Sequence, residues 1–230
     1  MERNSKVVIF GVSQLASLAH FYLNHDSPYE VVGFTVDKDY MPEDARYEGL
    51  PVVPFEEVES HYSPDEYRMF LPISFKRMSH LRREKFEAAK EKGYSCISYV
   101  SSKATTWPDL DVGENCFIFE DNTIQPYVKI GDNCVLWSGN HIGHHTTIGS
   151  HVFLTSHVVI SGACEIGDHS FFGVNSTVRD ETVVAPETLI GMGAILTKDS
   201  QEGQIWLAAK SRLREARSNQ LDSISHKTGG

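Results

Sequence analysis

The sequence holds no apolar run long enough to span a bilayer, and its start, Met1 to Lys6, lacks the charged-then-apolar order of a secretory leader. A soluble, cytoplasmic protein is expected. Positive charge is scarce too: 21 Lys and Arg stand against 31 Asp and Glu, a formal charge of −10. That deficit argues against a nucleic-acid surface, and against an anionic membrane as the main partner. Cysteine is sparse, with four in 230 residues. The glycine fingerprint of a dinucleotide fold is missing as well, since Gly11 alone matches the pattern G-x-G-x-x-G.

What is present dominates the second half of the chain. From Val112 to Leu196 every sixth residue is a bulky aliphatic or Phe: Val112, Ile118, Ile124, Ile130, Leu136, Ile142, Ile148 and onward without an inserted loop. Neither a helix nor a simple strand keeps that period. Four residues after most of these stands a small or narrow one, such as Cys116, Val128, Cys134, Thr146, Cys164 or Ser170, so two slots per hexad point inward. Glycine follows the bulky residue at Gly113, Gly131, Gly143, Gly149, Gly167, Gly173 and Gly191, where a tight corner is expected to need an unrestricted backbone. This is the hexapeptide signature of a parallel β-helix. With three hexads to a triangular coil, residues eighteen apart stack about 4.8 Å from one another. Residues 112 to 199 then make about five coils. The interior of such a prism is too narrow for a substrate, so chemistry must sit on its outer faces or between copies of it. Cys116, Cys134 and Cys164 occupy the small inward slot, where packing explains them better than a bridge or a metal. Cys96, in the apolar run Cys96 to Val100, reads as buried.

The coils use fewer than half the residues, so a second domain must precede them. Lys6 to Phe10 reads as a strand, Gly11 to Gln14 as a turn, Leu15 to Leu23 as a helix, and Val31 to Val36 as a second strand ending at Asp37. In such a βαβ unit a strand-end acid can accept from sugar hydroxyls at the carboxyl edge of the sheet. Further strands are expected at Pro51 to Val53, Arg68 to Leu71 and Cys96 to Val100, with a charged amphipathic helix from about Lys76 to Lys92. Past Leu196 the register is lost; Gln204 to Arg217 reads as a short docking helix, and 218–230 as a frayed tail.

Histidines crowd the coils at His141, His144, His145, His151, His157 and His169. Polar corners facing solvent are the plain account, preferred for His151 and His169. Zinc held between neighbouring coils, as in the gamma-class carbonic anhydrases that the repeat also resembles, is a rival; no carboxylate partner for the cluster is evident. A general base is the better fit for at least one of them, because acyl transfer from a thioester needs a group of near-neutral pKa to take the nucleophile's proton.

The segment Ser138-Gly139-Asn140-His141-Ile142-Gly143-His144-His145-Thr146-Thr147-Ile148-Gly149, preceded by the βαβ unit, resembles the left-handed β-helix sugar acyltransferases of the sialic acid O-acetyltransferase type. Close relatives of that family N-acetylate nucleotide-linked amino sugars, and the likeness spans nearly the whole chain. It implies an α/β, Rossmann-like N-terminal domain with a small parallel sheet over 1–108 that holds a sugar nucleotide. A left-handed parallel β-helix follows over 109–200, and a short C-terminal helix and tail over 201–230. It also implies a homotrimer, with acetyl-CoA bound as acyl donor in the cleft between two β-helices, and no metal.

Carried over by position, the resemblance makes His144 the catalytic histidine, with His145 where some relatives place an orienting Glu, and His157 a secondary candidate. Phe153 falls where a relative has an acceptor-contacting histidine. A backbone N–H at Ser161 or Gly162 would meet the acetyl carbonyl, Gly191, Met192 and Gly193 would lie along the pantetheine, and Lys198 would pair with a CoA phosphate. Gly11, Ser13 and Asp37 correspond to the phosphate turn and the ribose acid. The implied reaction is N-acetylation of a nucleotide-linked deoxyamino sugar for surface glycan or lipopolysaccharide synthesis. The alternatives are O-acetylation of sialic acid or a polysaccharide sugar, and a non-catalytic sugar-nucleotide-binding protein.

Overall fold

Val7, Val8 and Ile9 are sealed from solvent on both sides of their strand, which makes it the centre of a covered sheet. In this computed structural model, which describes residues 5–211 and 213, that strand is β1 (Ser5–Phe10). It is followed by α1 (Gln14–Asp26), β2 (Tyr29–Val36), β3 (Arg46–Tyr47), β4 (Leu50–Pro54), α2 (Val58–His61), β5 (Tyr67–Phe70) and α3 (His80–Glu91). The spatial order is β3-β4-β2-β1-β5. The sheet expected to be parallel is mixed at one edge, because Glu48 and Gly49 both take positive φ and close β3 onto β4 as an antiparallel hairpin. Helix α1 starts at Ser13, whose Oγ accepts from the Ala16 N–H, and lays Ala16, Ala19 and Leu23 on the sheet.

Two expected elements change extent. Helix α3 begins at His80 rather than near Lys76, because Arg77, Met78 and Ser79 all adopt left-handed backbone. The strand expected over Cys96 to Val100 divides: Cys96 bridges to Met69 in the small sheet, while Tyr99–Val100 pairs with Phe117–Ile118.

From there the chain winds as a left-handed parallel β-helix with three faces. The first face runs from Asp111–Val112 to Val183–Val184, the second from Tyr99–Val100 to Ile205–Trp206, and the third from Thr123–Ile124 to Ile195–Leu196. Partners eighteen apart stack in register, as Lys129 does on Thr147, and the expected bulky and small columns fill a single dry core. The stacked sheets pass both ends of 109–200, since Thr105 bridges to Thr123 and Ile205–Trp206 pairs with Leu189–Ile190. Ile205 and Trp206 are therefore strand where a helix was expected, and residues 207–211 continue without one. Residues 212 and 214–217 of that expected helix, and the tail, lie outside the described residues.

Corner glycines serve close approach, not conformational freedom. The unrestricted backbone expected at the glycine after each bulky residue is not used, since none of these glycines takes positive φ. At Gly143 an added Cβ would stand 2.5 Å from the Gly162 nitrogen of the next coil. The left-handed turn lies two residues later, and apart from Gly139 and Gly193 side-chain-bearing residues occupy it: Asn115, Asn133, His151, His169 and Glu187 on the first edge, Asp121, His157 and Asn175 on the second, Tyr127, His145, Ala163 and Glu181 on the third.

The small sheet docks on the second face, where Phe117, Phe119, Val135 and Phe153 share a core with Val7, Ile9, Phe34 and α1. Helix α3 covers the first edge. There Asn115 Nδ2 donates to Asn133 Oδ1 (2.7 Å), Asn133 Nδ2 lies 2.9 Å from His151 Nδ1, and the His151, His169 and His80 rings stack at 4.7 and 4.2 Å. The solvent-facing reading of His151 and His169 is thus corrected: His169 is buried and His151 half-buried, because the N-terminal domain caps their edge.

Candidate active site

Three of the residues singled out in the sequence meet in one cleft at the carboxyl edge of the small sheet. Gly11 (φ +105°) ends β1, Ser13 caps α1, and Asp37 ends β2; together with Tyr40, Lys76 and Lys85 they line a volume of about 650 Å³. Asp37 is already engaged, its Oδ1 lying 2.6 Å from the Lys85 ammonium, which also sits over the rings of Phe10 and Phe55. Tyr40 stands 70% exposed at the rim, a flat ring free to take a base.

Gln14, Leu15 and Ser74 belong to this cleft and also to a second one of about 440 Å³, between the small sheet and the second face of the β-helix. Leu18, Phe75, Trp137, Phe153 and Val174 form its apolar wall; Thr155 and Ser156 add hydroxyls. Phe153 is held by Phe75 at 5.2 Å and Phe171 at 5.8 Å, and Trp137 stacks on Phe119 at 4.6 Å. Of this lining only Phe153 had been named from sequence as a site residue. Trp137 did leave a signal: it and Phe119 occupy the slot that glycine holds in seven of the fourteen hexads from 113 to 191.

His144 and His145 lie elsewhere, exposed on the third edge. The His144 N–H donates to Gln125 Oε1 (2.8 Å), and its ring rests directly on Gly162, where a Cβ would come within 2.7 Å of Cε1. Nδ1 of His144 and Nδ1 of His145 are 3.2 Å apart, with Tyr127 against the far side of His145 at 4.7 Å. If His144 donates in that bond, its Nε2 carries the lone pair. His157 does not join them. It sits on the second edge over Gly139, beside the apolar cleft.

The donor-side residues also divide between edges. Ser161, Gly162 and Lys198 are on the third, with Lys198 Nζ 5.6 Å from the Trp206 ring; Gly191, Met192 and Gly193 are on the second, with Met192 72% exposed. The amides expected to meet an acyl carbonyl are already bonded: Ser161 N–H donates to Val178 O in the coil ladder, and Gly162 N–H to Asp180 Oδ1 at 3.0 Å. Only the second of these can be released by swinging a side chain aside. Between the two edges lies the third face, whose outward column Thr123, His141, Val159, Thr177 and Ile195 carries no carboxylate, Lys or Arg. Among the described residues, no helix is long and apolar enough to cross a membrane and no three His, Cys, Asp or Glu side chains converge as a metal cage.

Residues 110–144 and 127–162 match the family described as bacterial transferase hexapeptide (six repeats). No curated protein matches the chain. Among solved structures, the acetyltransferase domain of PglB from Neisseria gonorrhoeae in complex with acetyl coenzyme A is similar, with a TM-score of 0.78 at 19% identity over 89% of this chain and 97% of that one. PerB from Caulobacter crescentus, in complex with CoA and GDP-perosamine, gives 0.78 at 21% identity over 89% and 94%. WeeI from Acinetobacter baumannii gives 0.74 at 17% over 88% and 96%. The chain therefore has the two-part fold of these proteins, an α/β domain on a hexapeptide β-helix.

Proposed function

We propose that this hexapeptide-repeat protein is an acetyl-CoA-dependent acetyltransferase acting on the amino group of a nucleotide-linked deoxyamino sugar, with His144 as general base. The observation that carries the reading is the continuity of the two clefts. A nucleotide seated against Gly11, Ser13 and Asp37 would send its sugar past Gln14 and Ser74 into a chamber walled by Trp137, Phe153 and Phe75. A chamber with so few polar groups suits a sugar in which methyl and methylene replace hydroxyls, because buried hydroxyls left unpaired are costly. The complexes of PglB with acetyl coenzyme A and of PerB with CoA and GDP-perosamine support the same pair of substrates.

In the proposed step the amine nitrogen attacks the thioester carbonyl, forming the C–N bond as His144 Nε2 takes the nitrogen's proton. The tetrahedral intermediate then expels thiolate by breaking the C–S bond, and the proton passes from His144 to sulfur. His145 takes over the work of an orienting carboxylate by accepting a hydrogen bond from His144 Nδ1–H, which fixes the tautomer. In one chain His144 is on the third edge while the chamber that would take the sugar lies against the second face, so the reaction needs the third edge of another copy beside that chamber. A homotrimer packed through the uncharged third face meets that need.

The test is thiol release from acetyl-CoA with a panel of nucleotide-linked amino sugars. His144→Asn should lower kcat by about 10²- to 10⁴-fold while acetyl-CoA still binds. Undiminished turnover removes His144 from the role. Product lost on mild alkaline treatment identifies an ester and the O-acetyl reading, and nucleotide-sugar binding without thiol release identifies a non-catalytic binding protein.

A further inference from the structure

We propose that Arg82 is a positioning residue for the acceptor, fixing residues Ile73 to Phe75 as the common wall of the nucleotide cleft and the apolar chamber. The kinetic part of this rests on the function proposed above. Arg82 projects from α3 and is fully buried. Every N–H direction of its fork finds a carbonyl: Nε meets Asn133 O at 2.9 Å, one terminal nitrogen meets Ile73 O and Ser74 O at 3.2 Å each, and the other meets His151 O at 2.9 Å and Val152 O at 3.3 Å. Among the described residues no carboxylate pairs with it, and its guanidinium lies 5.7 Å from the Phe153 centroid.

A buried cation satisfied only by backbone is a poor way to gain stability, since an apolar side chain of similar volume generally serves a core as well or better. What the fork supplies is geometry. It ties two coils of the β-helix to residues 73 and 74, and those lie in a stretch with no regular structure, between β5 and α3. That stretch is under strain, with Arg77, Met78 and Ser79 at φ 56°, 49° and 66°. Beyond the fork it is held by the Phe75 ring against Phe153 and Phe171, by His169 Nδ1, 3.0 Å from Met78 O, and by the Arg77 ion pair with Glu84 of α3 at 2.6 Å. Ile73 and Ser74 line the cleft, and Ser74 and Phe75 line the chamber. Loosening the fork therefore moves the wall that the acceptor touches, and leaves the third edge unaltered.

Arg82→Lys keeps the charge and offers three donors where five were used. The expected result is a KM for the nucleotide sugar raised about tenfold, with kcat and the KM for acetyl-CoA within about twofold of wild type. Hydrogen exchange at residues 73–79 should quicken, while the coil amides stay protected. A uniform loss of active protein with acceptor KM unchanged would mean that Arg82 only holds the fold, and it overturns the proposal. Arg82→Met, if it folds, should show the same KM split more strongly. Should the wild-type chain transfer no acetyl group, the function fails but this inference is still read, by exchange at 73–79 and by calorimetric binding of UDP and GDP to wild type and Arg82→Lys. Unchanged exchange there overturns it.

Discussion

Gly162→Ala isolates the placing of one imidazole from everything else in the protein. The added methyl would lie 2.7 Å from His144 Cε1, 3.0 Å from Nε2 and 3.2 Å from Nδ1. Ordinary carbon contacts begin at about 3.5 Å, so the ring must retreat by about 1 Å. The backbone accepts the change, because Gly162 is not among the left-handed glycines, and its N–H can keep its bond to Asp180. His144 is exposed, so its ring can swing outward without leaving a cavity, though it then loses the 3.2 Å contact with His145. A misplacement of this size is worth about 10²-fold in rate when the group transfers a proton. Stability should move by no more than about 1 kcal/mol, and upward if anything, as alanine restricts the unfolded chain. Initial rates of thiol release, with each substrate varied in turn, together with thermal unfolding, give the reading: kcat falls, both KM values hold, Tm stays. Wild-type kcat would refute the position of the ring over Gly162 as the working one. A rise confined to the KM for acetyl-CoA would show instead that the methyl blocks the donor.

Two further outcomes follow from the N-terminal half. Asp37→Ala removes the acid facing the cleft and leaves Lys85 unpaired; the nucleotide-sugar KM should rise about tenfold with the acetyl-CoA KM unchanged, while stability drops by no more than about 1 kcal/mol. Equal KM values for variant and parent would exclude Asp37 from nucleotide binding. On the first edge, burial and the neighbouring charges of His169, Arg82, Arg83 and His80 push His151 down to about 3, and burial also lowers His169, against Asp168 and the Met78 carbonyl. The unfolded chain takes up these protons near pH 6.5 while the folded form refuses them, so the stability they secure is intact above about 6.5 and drains as pH falls towards 3. Between pH 6.5 and 5, His151 alone accounts for about 2 kcal/mol at full effect, and about 1 after solvent screening. Urea midpoints should fall over that interval in the parent and less in His151→Asn; a flat profile in the parent would contradict the burial of the stack.

The coils were legible because a prism with one bulky and one small inward slot per hexad leaves no freedom in either. Ile118, Ile142, Cys134 and Cys164 are buried where the period put them. The βαβ start was legible for a similar reason, and it brought Gly11, Ser13 and Asp37 into one cleft. What the period does not encode is contact between distant segments. The chamber is assembled from α1, the 74–75 stretch and three successive coils, so that only Phe153 was visible beforehand. Ile205 and Trp206 carry helix-like apolar spacing, yet the open second face offers a ladder of unpaired backbone, and strand pairing with Leu189–Ile190 prevails. The corner glycines misled because a sequence shows that a Cβ is absent and not whether space or torsion requires it.

The left-handed corner slot shows how one repeat yields different chemistry. Each occupant has the same backbone and projects from an edge, so its surroundings depend on what covers that edge. On the first edge α3 covers it, and Asn115, Asn133, His151 and His169 become a desolvated seam between domains, with their imidazoles kept neutral. On the third edge none of the described residues covers it, and His145 stays exposed, its Nδ1 3.2 Å from that of His144. The two histidines at 151 and 145 are the same residue type in the same slot of the repeat. Docking of the N-terminal domain, which the hexad pattern cannot register, makes one a structural group and leaves the other exposed. A second copy laid against the third face would bring cover to that edge as well, so under the proposed function the placing of copies decides whether His144 reaches an acceptor.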